Sequence, residues 1–269
     1  MGKRIIMAAA IAALGWGLTA PAARADEPGS RPAACGLPNR LIALHGGLPH
    51  AAAAVRSRHA LTIVAFGSSS TYGTGASGPA ATYPSRLGGE LAKLLPGIQL
   101  NVINRGVPGD TAADMAARLE RDVIAAAPDL VIWQTGTNDA LRDVPVADFA
   151  RLTLAGIGRM HDAGIDVVLM EPQYSRKLAS RPHYADYVES LRSLAPTVGA
   201  PVVRRFDIMQ AWLANGAFVR ATMLQDDALH MRDASYACLG RTVALGLVEA
   251  IDQTGRASAR LTAHVTAAK

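Results

Sequence analysis

The residues of this chain best suited to chemistry follow Leu61-Thr-Ile-Val-Ala-Phe-Gly67, an apolar run that breaks at a glycine and leads straight into Ser68, Ser69 and Ser70. Such a run reads as a buried strand, and the glycine permits a sharp exit at its carboxyl end. In open α/β sheets the crevice at that end is where ligands bind. A hydroxyl held there can attack a substrate, given a base to take its proton and donors to stabilise an oxyanion. Three serines compete for that part.

Three further segments carry polar side chains of the right kinds. They are Asn104-Arg-Gly-Val-Pro-Gly109-Asp110-Thr111, Thr135-Gly136-Thr137-Asn138-Asp139 and Gln225-Asp226-Asp227-Ala-Leu-His230. Each has an ordinary explanation when taken alone. Serines after a strand serve as turn and cap residues, Asp110 suits the cap of a following helix, and Asn138-Asp139 suits a turn. An Asp-x-x-His run can be a surface loop or one corner of a metal site. In combination the segments supply what ester hydrolysis needs: a nucleophile, an acid–base pair and oxyanion donors.

The elements that must position them alternate along the chain. Apolar runs at 61–66, 99–103, 129–134, 165–170 and 201–205 read as strands. Amphipathic stretches at 82–95, 111–126, 146–163 and 184–197 read as helices, with a last helix over about 234–253. Strands joined by helical crossovers imply a parallel sheet with helices on both faces, and its strand-following loops gather at one rim. Residues 26–58 read as an irregular lead-in with a helix over part of 39–58, residues 59–255 as the main domain, and 256–269 as a flexible tail.

The first 25 residues are set apart. Lys3 and Arg4 precede an apolar stretch from Ile5 to about Leu18, and Ala23-Arg24-Ala25 is a small-x-small cleavage site. This is the order of a secretory signal peptide, and Gly15, Gly17 and Pro21 interrupt it as a membrane anchor. The expected location is periplasmic or secreted, with no later segment reading as a membrane span. Cleavage after Ala25 leaves 24 basic against 22 acidic side chains, a near-neutral balance that makes no case for nucleic-acid binding. The only two cysteines, Cys35 and Cys238, read as one disulfide in an oxidising compartment, with two buried free thiols as the alternative.

Taken in order, the four segments resemble the SGNH hydrolases, the GDSL-type esterase and lipase family. That family's first block, Gly-Asp-Ser-x-(Ser/Thr), is similar to Gly67-Ser68-Ser69-Ser70-Thr71 and selects Ser69 as the nucleophile. Its later blocks match Gly109-Asp110-Thr111, Gly136-Thr137-Asn138-Asp139 and Asp227-Ala228-Leu229-His230, so the resemblance runs from about Thr62 to Leu247. It implies a three-layer α/β/α sandwich around a flavodoxin-like parallel sheet of about five strands. It also implies His230 as general base and Asp227 as its orienting acid. The oxyanion would be met by the N–H groups of Ser69 and Gly109 and the amide of Asn138. Asp226 is a rival acid, disfavoured by its spacing. One position departs from the family: Ser68 stands where Asp is usual.

The resemblance further implies an enzyme acting on carboxylic esters without a cofactor. Glycan O-acetyl esters, lysophospholipids and thioesters are all open as substrates. Acyl transfer to a sugar hydroxyl and a non-catalytic envelope or glycan-binding protein are the alternatives. Gly73-Thr-Gly75-Ala-Ser-Gly78 fits GxGxxG but runs into Pro79 instead of opening a helix, which argues against a nucleotide cofactor. His45, His50, His59, His161, His183 and His264 lack metal-ligand spacing, so no metal is expected. His183-Tyr-Ala-Asp186 is the reversed Asp-x-x-His order and reads as a loop-to-helix entry.

Overall fold

The structure is a computed structural model that describes residues 34–267, with side chains through residue 260, besides Gly2. The expected signal peptide, its cleavage site and residues 26–33 lie outside the described residues. Two short helices, α1 (Asn39–Ile42) and α2 (Pro49–Arg58), lead into strand β1 (Ala60–Gly67). Then come α3 (Ser69–Tyr72), α4 (Tyr83–Leu94), β2 (Gln99–Gly106), α5 (Ala112–Asp122), β3 (Leu130–Gln134), α6 (Thr137–Leu141) and α7 (Val146–Asp162). The chain ends with β4 (Asp166–Met170), α8 (Arg176–Ala179), α9 (Tyr184–Thr197), β5 (Val202–Val203), α10 (Arg205–Ala214), α11 (Arg220–Met223) and α12 (Asp233–Ala267).

The five strands form one parallel sheet in the order β2-β1-β3-β4-β5. This is the flavodoxin-like order, in which the connections reverse direction between β1 and β3. Register sets the rim: Gly67 pairs with Gly106 and Phe66 with Trp133, while Gln134 pairs with Met170. The loops that leave these strands therefore start side by side.

Side chains alternate across a strand, and here both faces are covered. Leu61, Ile63, Ala65, Leu130, Ile132 and Val168 face the layer made by α2, α4, α10 and α12. Val64, Phe66, Val131, Trp133, Val167 and Leu169 face α5, α7 and α9. The two apolar clusters make the three-layer sandwich. Burial of each large side chain contributes about 1.5–3 kcal/mol. In α7 the buried Phe149, Thr153, Gly156, Ile157 and Met160 keep helical spacing. Gly156 is needed there because a Cβ would lie 2.5 Å from the Trp133 ring.

Two expectations change. Residues 34–58 do not stand apart from the main domain, since Leu37, Leu41, Ile42, Leu44 and Leu48 belong to the same core as β1. The last helix does not give way to a tail near residue 255 but continues to Ala267. Its stretch Asp233–Arg260 is also long and apolar enough to cross a membrane by length and composition, which the sequence had not suggested. The cause is core packing: 72% of its most apolar window is buried inside the fold. Cys238 on this helix is joined to Cys35 in a disulfide with a Cα–Cα distance of 5.9 Å, so the free-thiol alternative falls away.

Candidate active site

Ser69 sits two residues beyond the end of β1, at the start of α3. Its Oγ lies 3.0 Å from Nε2 of His230, and Nδ1 of His230 lies 2.6 Å from Oδ2 of Asp227. A carboxylate can only accept, so Nδ1 carries the hydrogen and Nε2 presents its lone pair to the serine hydroxyl. The other carboxylate oxygen, Oδ1, accepts from the N–H groups of Leu229 and His230 at 2.8 and 3.0 Å. Partial burial works against the Asp227 carboxylate, but these two N–H groups and the imidazole outweigh it. They hold its carboxyl below the usual carboxylate range. The rival Asp226 points elsewhere, accepting from Arg232 at 3.0 Å.

The turn around Ser69 is held from outside the motifs, by Gln134 and Arg118. Ser68 is buried, and both its N–H and its hydroxyl donate to Oε1 of Gln134, at 3.0 and 3.1 Å. Thr71 donates to the same oxygen at 3.2 Å. A serine at 68 thus suits this turn because Gln134, at the end of the neighbouring strand, supplies the acceptor. Arg118 grips the turn from the other face of the sheet. Its Nη2 donates to the Gly67 carbonyl at 2.9 Å, its Nε meets Asp110 at 2.6 Å, and its guanidinium lies 4.4 Å over the Phe66 ring.

That contact decides against the ordinary explanation of Asp110 as a helix cap. Asp110 does not cap α5; Thr111 does, in a capping box with Asp114. The Asp110 carboxylate is drawn instead to the nearly buried Arg118. The loop from Val107 to Thr111 is then bolted to α6. The Asn138 amide donates to the Asp110 carbonyl at 2.8 Å, and the buried Asp139 carboxylate accepts from the Ala112 N–H at 3.0 Å. Among the described residues, neither the Ser69 N–H nor the Gly109 N–H is engaged by a protein acceptor.

Below the site, Gln173 is fully buried and touches three of the four segments that supply candidate groups, those of Ser69, Asn138 and His230. Its Oε1 accepts from Ser70, Thr137 and Arg205 at 3.1, 3.3 and 2.8 Å, and its Nε2 donates to the Leu229 carbonyl at 3.2 Å. Arg205 is itself fully buried, and burial lowers its pKa against the opposing pull of the Tyr184, Tyr236 and Tyr83 hydroxyls. Its Nε donates to the Glu171 carbonyl at 2.8 Å.

The Gly73–Gly78 loop forms a seat for the histidine segment. Gln225 donates from its side chain to the Gly75 carbonyl, and the Tyr236 hydroxyl donates to the Thr74 carbonyl at 2.8 Å. Gly75 has φ +92°, and a Cβ there would lie 2.5 Å from the Met231 carbonyl oxygen and 3.2 Å from the His230 Cβ. Only glycine lets the loop approach so closely. His183 and Asp186 do pair, at 2.9 Å, but on the exposed start of α9. Among the described residues no group of three or more His, Cys, Asp or Glu side chains is placed to hold a metal ion.

Known proteins resemble the chain throughout this region. The model of the non-GDSL lipase-like family matches residues 34–253. An arylesterase from Vibrio mimicus is 26% identical over 162 residues, covering 59% of this chain and 75% of that protein. An acetylxylan esterase from Geobacillus stearothermophilus is 40% identical over 76 residues, 27% of this chain and 35% of that protein. The crystal structure of an acetylxylan esterase from the same organism superposes with a TM-score of 0.60 at 22% identity, covering 71% of this chain and 94% of that one.

Proposed function

The chain belongs to the non-GDSL lipase-like family, and with it to the ester-hydrolysing SGNH hydrolases, and on that premise we propose a serine esterase mechanism with Ser69 as the nucleophile. The observation that carries this is the unbroken hydrogen-bond chain from Ser69 Oγ through His230 to Asp227. His230 Nε2 takes the hydroxyl proton as Oγ attacks the ester carbonyl, and later gives it to the leaving alcohol. Asp227 stays ionised, fixes the imidazole tautomer and stabilises the imidazolium. Water then attacks the acyl-serine, with His230 again as base, and releases the carboxylic acid.

The tetrahedral oxyanion is assigned to the unengaged N–H groups of Ser69 and Gly109 and to the Asn138 amide. That amide is aimed by its bond to the Asp110 carbonyl at 2.8 Å. Each such donor is worth about 3–4 kcal/mol in the transition state. One observation favours glycan acetyl esters as the substrate, namely the 40% identity to an acetylxylan esterase over 76 residues. Action outside the cytoplasm is supported by the amino-terminal signal pattern and by the Cys35–Cys238 disulfide.

A series of p-nitrophenyl esters from acetyl upward, with acetylated xylan beside it, tests the proposal. The wild type should hydrolyse at least one member, and Ser69→Ala should lose about 10³-fold or more in kcat. No turnover of any ester by the wild type would remove the reading.

A further inference from the structure

Next to the loop that carries Asp227 and His230 lies a cavity of about 400 Å³ with two distinct chemistries in its wall. Its floor is apolar, made by the buried side chains of Phe218, Met223 and Leu224. Its rim carries three cations, Arg176 and Lys177 on α8 and Arg220 on α11. Val219, also lining it, is one of few large apolar side chains left exposed among the described residues, at 61%. None of Ser69, Gly109, Asn138 or His230 is part of this wall, and only Ala228 comes from the acid–base loop.

The cations are not balanced from within. Among the described residues Arg176 and Arg220 have no ion-pair partner, and Lys177 gives its ammonium only to the carbonyl of Asp227, at 3.3 Å. An apolar floor favours an apolar body, and unneutralised guanidinium groups at the mouth favour an anionic head. Pockets of this size, mostly apolar with a few convergent polar groups, are the usual form of small-molecule sites.

We propose that this cavity binds an amphiphilic anion, its carboxylate or phosphate head held by Arg176, Lys177 and Arg220 and its apolar body packed on Phe218, Met223 and Leu224. The site is distinct from the one assigned to catalysis and does not depend on that assignment. Lys177 and Ala228 place the bound anion against the backbone that carries Asp227.

The fold supplies its own reporter. Trp212 packs on Phe218 with ring centroids 5.4 Å apart, so filling the cavity changes the surroundings of a buried indole. Tryptophan fluorescence and calorimetry, followed while the full chain is titrated below micellar concentrations, test the proposal with decanoate, decyl phosphate, decanol and acetate. At least one decyl anion should bind about tenfold or more tightly than both decanol and acetate, and its affinity should fall with added salt. A tighter decanoate identifies a fatty-acid-type ligand, and a tighter decyl phosphate a phospholipid-type head. Arg176→Gln with Arg220→Gln, at exposed positions, should cut that affinity about tenfold and leave Tm unchanged. Val219→Asp, which brings a like charge to the mouth, should act in the same direction. Decanol binding as well as the decyl anions would overturn the proposal, as would acetate binding as well as they do. Unaltered affinity in both variants would overturn it too.

Discussion

Gln173 Nε2 donates to the Leu229 carbonyl at 3.2 Å, and through this bond a residue beyond β4 steadies the loop that carries Asp227 and His230. The same amide accepts from Ser70 at 3.1 Å and from Thr137 at 3.3 Å, the neighbours of Ser69 and Asn138. One buried side chain thus spans the segments of nucleophile, base and oxyanion donor. It makes no contact with the reacting atoms and acts by positioning.

Gln173→Leu keeps the volume and removes these bonds. A misplacement of about 1 Å can cost 100-fold in rate. The expected result is a kcat about 10–100-fold lower with KM little changed. Gln173→Glu, which still accepts from Ser70, Thr137 and Arg205, should recover part of the loss. A purely structural role would show instead as a lower Tm with kcat per folded molecule intact.

Asp227→Asn should act on the histidine tautomer. The asparagine amide can donate to Nδ1 and leave the hydrogen on Nε2, where it faces Ser69 as a competitor. Comparable triads lose about 10⁴-fold in kcat on this change. Asp226→Asn, altering a carboxylate that meets only Arg232, should leave kcat within about twofold. Steady-state kinetics of the two variants side by side checks the assignment, and equal losses would refute it.

Much of this site was legible because each block is local. The strand-glycine-serine exit, Gly109-Asp110-Thr111, Asn138-Asp139 and Asp227-x-x-His230 are each a few residues long, and a parallel sheet must bring the loops after its strands together. The supports were not legible. Gln134 meets Ser68 across 66 residues and Gln173 meets Ser70 across 103, and no spacing rule connects them. The Asp110–Arg118 ion pair was hidden for the same reason: a cap is a local pattern, whereas this pair depends on how α5 lies against the sheet. The length of α12 escaped because its small polar residues after Gln253 are compatible with either helix or tail.

Asp166 links stability to pH. Burial pushes its carboxyl up to about 6, against the Ala51 N–H and the nearby His50, which pull it down. A folded-state value above the unfolded one means that the folded state holds the proton more tightly. This contribution is fully present below about pH 4 and is lost as pH rises through about 6. Asp166→Asn should therefore raise Tm by roughly 4–8 °C at pH 8, corresponding to about 2 kcal/mol, and by little at pH 4. Melting curves across that range decide the matter, and a gain that does not vary with pH would contradict it.

The Cys35–Cys238 disulfide closes a loop of 203 residues. In the chain-entropy view so long a loop destabilises the unfolded state by up to about 5 kcal/mol. Cys35→Ser with Cys238→Ser should lower Tm by about 5–15 °C. Because Ser69, Asp227 and His230 hold one another without it, kcat at 25 °C should stay close to the wild-type value.

The most direct test of the catalytic assignment is the site of reaction with a fluorophosphonate, read by peptide mass spectrometry on the full chain. The account predicts a single phosphonyl adduct on Ser69, formed only with native protein and absent from Ser69→Ala. An adduct on Ser68 or Ser70, or labelling that survives Ser69→Ala, would contradict it.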